Sequence, residues 1–373
     1  MSDSQTAGPH QAGSQQAASQ QAGSPKTASQ QAGSPKARHG TADSITDVPG
    51  FLVGHARVPG ARALTGTTVV LAPAPGAVAA VDVRGGGPGT RETDALDPRN
   101  VVERIDAVVL TGGSAYGLDA AGGVMAWLEE RGRGVRVGPE PDQVVPVVPA
   151  ACVFDLGRGG DWRARPDAAT GRAAAEAAGT EVVQGNAGAG TGAVAGGLKG
   201  GIGTASVTLP SGATVGALVV ANSLGSVLDP DTGALYGLRG RVTYPEPGLH
   251  EAASKRLDEA RATSGLPPLN TTLAVVATDA PLTRPQAQKL AGTSHDGLAR
   301  AIRPVHLMHD GDTVFALATG DTSGEPLSPM ELNFVLAAGA DVVARAITKA
   351  VLAAEGVDGP GGTFPSYRDL YGS

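Results

Sequence analysis

One threonine stands where a core strand is expected to begin. The stretch PPLNTTLAVVATD places Asn270 and Thr271 directly before an apolar run, which the pattern predicts as a buried strand. Cleavage after Asn270 would give Thr271 a free α-amine beside its own hydroxyl. That amine, with an ordinary pKa of ~8, can act as the base that activates the hydroxyl. The local pattern by itself favours a strand cap, and a self-cleaved nucleophile is the alternative.

Two carboxylates precede the next predicted strand. In HDGDTV, Asp310 and Asp312 lie two residues apart, so both side chains would share one face of an extended backbone. Such a pair can bind a metal, share a proton or orient an amine, although Asp-Gly-Asp is also a common turn. His306 and His309 are near enough to complete a metal cluster, but their spacing matches no metal motif.

Three glycine-rich stretches could line a site. VRGGGPGTRETDALDP (83–98) could border a pocket or form a charged surface loop. VLTGGSAYGLDAAGG (109–123) could hold an anion on the first turn of a helix, or its glycines could allow tight helix–sheet packing; it lacks the Gly-Lys-Ser/Thr of a phosphate loop. GNAGAGTGAVAGGLKGGIGTAS (185–206) carries one cation, Lys199. That lysine is either a solvated side chain or a positive group beside a nucleophile in a closed pocket.

The composition is globular and argues against a nucleic-acid partner. The 373 residues are 41% hydrophobic and 17% charged, with a formal net charge of −7, and no run of Lys and Arg forms a basic patch. The single cysteine, Cys152, excludes an internal disulfide and any multi-cysteine metal site. No apolar stretch is long enough to span a bilayer. Because an apolar signal core is also missing at the N-terminus, we expect a soluble cytoplasmic protein.

The elements that must position these residues begin after a low-complexity tail. A ten-residue repeat rich in Gln, Ala, Ser and Gly predicts disorder over residues 1–44, and a single domain is expected over 45–373. Its predicted elements are strands at 67–73, 77–83, 105–113, 272–278 and 312–320, a hairpin at 203–222, and helices at 115–132, 284–302 and 328–356. The second helix could break at Gly292, and the third could be one helix or two. The order predicts an α/β layered core.

Six stretches, taken together and in order, resemble the L-aminopeptidase/D-esterase and β-peptidyl aminopeptidase family, and within it the nylon-oligomer (6-aminohexanoate oligomer) hydrolase branch. They are VRGGGPGTRETDALDP, VLTGGSAYGLDAAGGVMAWLEE, GGLKGGIGTASV, VVANSLGSV, NTTLAVVATDAPLT and HDGLARAIRPVHLMHDGDTVFALATG. The resemblance implies a layered αββα-type sandwich of a self-cleaving N-terminal-nucleophile hydrolase, cut into fragments 1–270 and 271–373. It further implies a homotetramer of cleaved heterodimers, without metal or cofactor, acting on a small amide or peptide substrate.

The resemblance also implies roles for individual residues. Thr271 becomes the nucleophile, and Asp310 and Asp312 match the acidic pair that orients it in the nylon-oligomer branch. Asn222, in VVANSLG, matches an asparagine whose side-chain amide faces the reacting carbonyl. Lys199 matches that branch's active-site lysine.

Departures from the family pattern bear on the substrate. The peptidase branch has a serine nucleophile and a Ser/Glu arrangement where this chain has its two aspartates, which favours an amidase acting on linear amide oligomers over an aminopeptidase. A tyrosine that lines the family's pocket has no clear counterpart here, and Phe154, at about the matching place, lacks its hydroxyl. Phe154 and Tyr116 are the expected substrate contacts. Two other classes remain open. One is acyl transfer by the same threonine chemistry, as in the ornithine acetyltransferase family, and the other is a non-enzymatic binding protein that holds a phosphate on its glycine loops.

Overall fold

The computed structural model describes residues 37–238, 244–264 and 269–372, so most of the predicted tail lies outside the described residues. Within those ranges the strands are β1 (Arg38–His39), β2 (Leu52–Arg57), β3 (Gly66–Leu71), β4 (Ala77–Val83), β5 (Thr90–Arg91), β6 (Arg104–Ile105), β7 (Ala107–Thr111), β8 (Val135–Arg136), β9 (Val144–Val145), β10 (Ala150–Cys152), β11 (Val194–Ala195), β12 (Leu198–Lys199), β13 (Gly201–Thr208), β14 (Thr214–Ala221), β15 (Leu273–Thr278), β16 (Thr313–Ala318), β17 (Val357–Gly359) and β18 (Gly362–Phe364). The α-helices are α1 (Ala120–Glu129), α2 (Ala168–Glu176), α3 (Pro247–Ser264), α4 (Arg284–Ala301), α5 (Pro329–Ala353) and α6 (Tyr367–Tyr371).

Two stacked sheets form the centre of the molecule, and helices cover both outer faces. The larger sheet has the order β1-β13-β14-β15-β16-β4-β6, and the smaller has the order β2-β3-β7-β10-β5. Helices α4 and α5 pack on the larger sheet, and α1 and α2 pack on the smaller one. Buried side chains such as Phe51, Leu218 and Phe315 fill the space between the sheets. This αββα arrangement confirms the predicted fold class.

The strand order brings three chain segments to one edge of the larger sheet. Strands β15 and β16 are parallel neighbours, with Leu273 opposite Thr313, so the residues that precede both strands lie side by side. Strand β14 runs antiparallel to β15, with Val220 opposite Leu273. The residue that follows β14, Asn222, therefore reaches the edge where β15 begins.

The main helices begin and continue for identifiable reasons. The Ser328 hydroxyl accepts a hydrogen bond from the Glu331 N–H, and Glu331 bonds back to Ser328, so α5 starts at a capping box. It then runs as one uninterrupted helix. Helix α4 also shows no break at Gly292, whose carbonyl accepts a hydrogen bond from Arg84 at 2.7 Å. The predicted helix 115–132 begins instead with a 3-10 segment, Ser114–Asp119.

The structure differs from the sequence-based domain boundary at residues 38–44. Strand β1 pairs with β13, with Arg38 opposite Thr208. The Asp43 carboxylate bonds the Arg345 and Lys349 side chains of α5. These polar contacts to distant residues hold a segment that lacks the apolar periodicity by which a strand or helix is recognised in sequence.

Candidate active site

Thr271 lines a small cavity and lies immediately before β15. Its side chain is nearly buried, with the residue 4% exposed. The hydroxyl donates a hydrogen bond to the Asn270 carbonyl at 2.6 Å, and the Thr271 N–H donates to the Asn222 carbonyl, also at 2.6 Å. The cavity measures about 180 Å³, and its lining includes Phe154 and Met308. The hydroxyl is therefore next to the peptide bond that the sequence singles out for cleavage.

The two aspartates lie near Thr271, but they accept hydrogen bonds from the backbone of other residues. Asp312 accepts a hydrogen bond from the Thr272 N–H at 2.8 Å, and Asp310 accepts from the Leu224 N–H at 3.1 Å. Within the described ranges, Thr271 has no hydrogen bond to either carboxylate in the intact chain. Its hydroxyl instead lies against Gly311, where an added Cβ would come within 2.6 Å of Oγ1. The Thr271 hydroxyl therefore lies beside Gly311, the residue between Asp310 and Asp312 in the chain.

The first glycine-rich stretch, residues 83–98, packs against the backbone of the acidic pair. The Arg84 N–H donates to the Asp312 carbonyl at 3.0 Å, and the Gly87 N–H donates to the Asp310 carbonyl at 2.8 Å. A Cβ at Gly85 would lie 2.3 Å from the Asp312 backbone nitrogen. Glycine is required here because two backbone segments are in contact, so this stretch supports the acidic pair.

A buried arginine joins the two asparagines of the site. Arg158 donates hydrogen bonds to the side-chain oxygen of Asn222 and, at 3.4 Å, to that of Asn270. The Val194 N–H also donates to Asn222 Oδ1 at 2.9 Å, and Asn270 Nδ2 donates to the Val194 carbonyl at 2.9 Å. These donors fix the orientation of the Asn222 amide. Its Nδ2 makes a long hydrogen bond of 3.4 Å to the carbonyl of Phe154.

Sequence reasoning missed Arg158. Burial lowers the pKa of Arg158 to about 10, and the nearby Asp155 charge acts in the opposite direction. Burial raises the pKa of Asp155 to about 6, although the Gly113 N–H donates to it and lowers the pKa. The only local signal was an arginine set among glycines in LGRGGD, since its partners lie far away along the chain.

Lys199 is buried and bonds backbone carbonyls. It has no exposed surface, so it is not a solvated side chain. Its ammonium donates three hydrogen bonds to backbone carbonyls, of Gly190 at 3.0 Å, Ala193 at 2.9 Å and Gly200 at 2.7 Å. Burial lowers the pKa of Lys199 well below its ordinary value, and the Arg158 charge lowers it further. Lys199 fastens the loop whose Val194 contacts both asparagines.

The two expected substrate contacts lie in different settings. Phe154 lines the cavity and packs edge-on against Trp162, with ring centroids 6.1 Å apart. Tyr116 is 59% exposed, and the Arg165 guanidinium stacks 3.6 Å from its ring centroid. The cavity is bordered by the preceding Ala115 instead.

The second glycine-rich stretch and the two histidines make protein contacts in the structure. The Gly113 N–H, which could have faced a bound anion, donates to the Asp155 carboxylate at 2.7 Å. His306 bonds Asp312 at 2.8 Å, whereas His309 is exposed at the cavity rim. In the part of the chain that the structure describes, no three His, Cys, Asp or Glu side chains are grouped to hold a metal ion.

No helix described here is long and apolar enough to cross a membrane.

The αββα stack, with Thr271 directly before the central strand β15, is the arrangement to compare with known folds. A solved structure, L-aminopeptidase D-Ala-esterase/amidase from Ochrobactrum anthropi, described as a variant of the Ntn hydrolase fold, matches with a TM-score of 0.70 at 22% identity. The match covers 89% of this chain and 93% of that one. The chain belongs to peptidase family S58, whose model matches residues 43–364, and it is therefore a hydrolase.

Two further proteins are similar to this chain in sequence. An uncharacterized aminopeptidase of Mycobacterium tuberculosis is 49% identical over 347 residues, which cover 88% of this chain and 98% of the relative. A 6-aminohexanoate-oligomer endohydrolase of Kocuria sp. is 33% identical over 286 residues, 74% of each chain.

Proposed function

We propose that this protein cuts itself between Asn270 and Thr271 and then hydrolyses amide bonds with Thr271 as its N-terminal nucleophile. The observation that carries this proposal is the 2.6 Å contact between the Thr271 hydroxyl and the Asn270 carbonyl. The contact occurs at a buried junction that opens into a cavity. A strand cap alone would not require the junction to border a cavity.

Self-cleavage begins with attack of Thr271 Oγ1 on the carbonyl carbon of Asn270. The C–N bond breaks as the amide nitrogen takes up a proton, and an ester links Asn270 to the threonine oxygen. Water then opens the ester, which leaves a carboxylate on Asn270 and a free amine and hydroxyl on Thr271. The Asn222 carbonyl, already bonded to the Thr271 nitrogen at 2.6 Å, keeps that amine in place.

The new amine supplies the base for the hydrolytic reaction. It takes the hydroxyl proton as Oγ1 attacks the amide carbonyl of a substrate. The Asn222 Nδ2, whose bond to Phe154 is long, donates to the oxyanion, an interaction worth ~3 kcal/mol in such sites. The amine product leaves, an acyl-enzyme remains, and water releases the acid. Asp310 and Asp312 hold the amine and hydroxyl of Thr271 in the orientation for attack, and they stabilise the ammonium that forms when the amine takes the proton.

The proposed substrates are linear amide oligomers and short peptides. Two relatives are named for amide-cleaving activities, an aminopeptidase and a 6-aminohexanoate-oligomer endohydrolase. The described lining of the cavity supports an uncharged acyl chain, since Pro88, Cys152, Phe154 and Met308 contribute to it without any Lys, Arg, Asp or Glu.

Replacing the nucleophile tests the proposal. Thr271→Ala should give a folded, uncut chain without hydrolysis of a linear 6-aminohexanoate oligomer or a dipeptide amide. Thr271→Ser keeps a hydroxyl and should retain both cleavage and activity. If Thr271→Ala hydrolyses the substrates at the parent rate, Thr271 is not the nucleophile.

A further inference from the structure

A histidine bonds one member of the acidic pair, Asp312. His306 donates two hydrogen bonds to Asp312 Oδ2, from its backbone N–H at 3.1 Å and from its ring Nδ1 at 2.8 Å. The other carboxylate oxygen, Oδ1, accepts the Thr272 N–H. One carboxylate therefore joins the His306 ring to the residue that directly follows Thr271.

A second histidine holds the first. His295, on α4, is fully buried, and its ring lies edge-on to His306 with centroids 4.8 Å apart. Its Nε2 bonds the Asp82 carbonyl at 3.0 Å and lies 3.3 Å from the Asp82 carboxylate. Successive contacts therefore connect Asp82 to His295, His295 to His306, and His306 to Asp312.

The contacts also fix which ring nitrogens carry protons. A carboxylate and a carbonyl can only accept hydrogen bonds, so His306 Nδ1 and His295 Nε2 are the donors. The remaining ring nitrogens, His306 Nε2 and His295 Nδ1, are buried without a hydrogen-bond partner among the described residues. Burial lowers the pKa of His295 to about 4, which keeps this ring neutral beside His306.

We propose that His306 is a positioning residue for the Thr271 centre, which sets the orientation of the Asp312 carboxylate while His295 and Asp82 hold its ring. The inference rests on the proposed function of Thr271. Asp312 is almost fully buried, and backbone N–H groups of Thr272 and His306 bond its two carboxylate oxygens, at 2.8 Å and 3.1 Å. The His306 ring adds a 2.8 Å hydrogen bond to Oδ2, shorter than the backbone bond to the same oxygen. The ring donor therefore narrows the orientations open to the carboxylate, and misplacement of a catalytic group lowers rates steeply.

The backbone at His306 provides a matched pair of test variants. Its φ is +59°, which glycine adopts freely and asparagine tolerates. His306→Asn replaces the ring donor with a side-chain amide that can reach Asp312, whereas His306→Gly removes the donor. A comparison of the two separates the hydrogen bond from the strain of the turn.

The experiment measures kcat and KM for a linear 6-aminohexanoate oligomer, together with the extent of cleavage at residue 270. We expect His306→Gly to lower kcat at least ~30-fold with KM nearly unchanged, and His306→Asn to restore kcat to within ~5-fold of the parent. His250→Asn, at a histidine of α3 that bonds Tyr371 and does not line the cavity, should leave kcat unchanged.

Equal kcat values for the Asn and Gly variants would overturn the proposal, because the ring donor would then have no effect of its own. If His306→Gly does not fold, His306→Asn decides alone: activity within ~5-fold of the parent supports the proposal, and a loss beyond ~30-fold overturns it. A parent that hydrolyses the oligomer while uncut would refute the self-cleaved Thr271 mechanism. The kcat difference between the two His306 variants would still show whether the ring orients Asp312.

Discussion

The guanidinium of Arg158 donates a hydrogen bond to the side-chain oxygen of Asn222, in a site where both side chains are buried. Arg158 and the Val194 N–H both donate to Oδ1, which fixes the orientation of the Asn222 amide and directs its Nδ2 elsewhere. In the proposed mechanism, this Nδ2 donates to the oxyanion. The same guanidinium donates a hydrogen bond to the side-chain oxygen of Asn270, the residue directly before the proposed cleavage point. Arg158 therefore links the proposed oxyanion donor to the proposed cleavage junction.

Replacing Arg158 should impair self-cleavage without removing the positive charge. Arg158→Lys keeps a cation beside Asp155 but cannot form the planar fork that reaches both asparagines. We expect cleavage at residue 270 to slow at least ~10-fold, about 1.4 kcal/mol of barrier, measured by the uncut fraction over time. Arg300→Lys, at an exposed arginine paired with Asp341, is the control. Cleavage of Arg158→Lys at the control rate would show that the fork is not needed.

The acidic pair should serve the nucleophile and not a metal. We expect Asp310→Ala and Asp312→Ala each to slow self-cleavage and to lower amide hydrolysis by at least ~100-fold, about 3 kcal/mol of barrier. Chelators should leave the parent enzyme unaffected, as measured by its rate of amide hydrolysis. Loss of activity with a chelator and its recovery with Zn²⁺ would favour the metal alternative.

In the uncut chain, the ionised form of Asp310 should lower the free energy of unfolding. Burial raises the pKa of Asp310 above its ordinary 3.8, and the Asp312 charge raises it further. An acid with a raised pKa in the folded state binds its proton more tightly there, so its contribution to stability falls as pH rises from 3.8 through the folded-state pKa. In the uncut Thr271→Ala background, adding Asp310→Asn should therefore increase relative stability as pH rises. Urea unfolding over this range measures the difference, and a pH-independent difference would contradict it.

Lys199 should matter for both stability and processing. Lys199→Met leaves three buried carbonyls without their donor, and we expect the free energy of unfolding to fall by about 3 kcal/mol, measured by urea unfolding in the uncut Thr271→Ala background. In the otherwise parental chain, cleavage at residue 270 should also slow, because the loop that carries Val194 loses its anchor. Lys289→Met, at an exposed lysine of α4, is the control. Equal stability and cleavage in the two variants would show that Lys199 is not an anchor.

The parts of the fold that depend on local pattern could be predicted from sequence. Strand β4 occupies Ala77–Val83, the predicted range, because its apolar run alone marks it. Thr271 and Asp312 could be placed at strand starts for the same reason. The Arg158 contacts could not, since Asn222 and Asn270 lie 64 and 112 residues away along the chain. The buried setting of Lys199 likewise depends on a loop that folds back over it, which no local pattern shows.

The most direct test of the account is the denaturing mass of the purified protein, with sequencing of its N-termini. We predict two fragments, 1–270 and 271–373, the smaller beginning Thr-Thr-Leu-Ala-Val, and a single intact chain for Thr271→Ala. Cleavage one residue later would keep the chemistry and move the nucleophile to Thr272. An intact species of 37.0 kDa with full amide-hydrolysing activity would contradict the account.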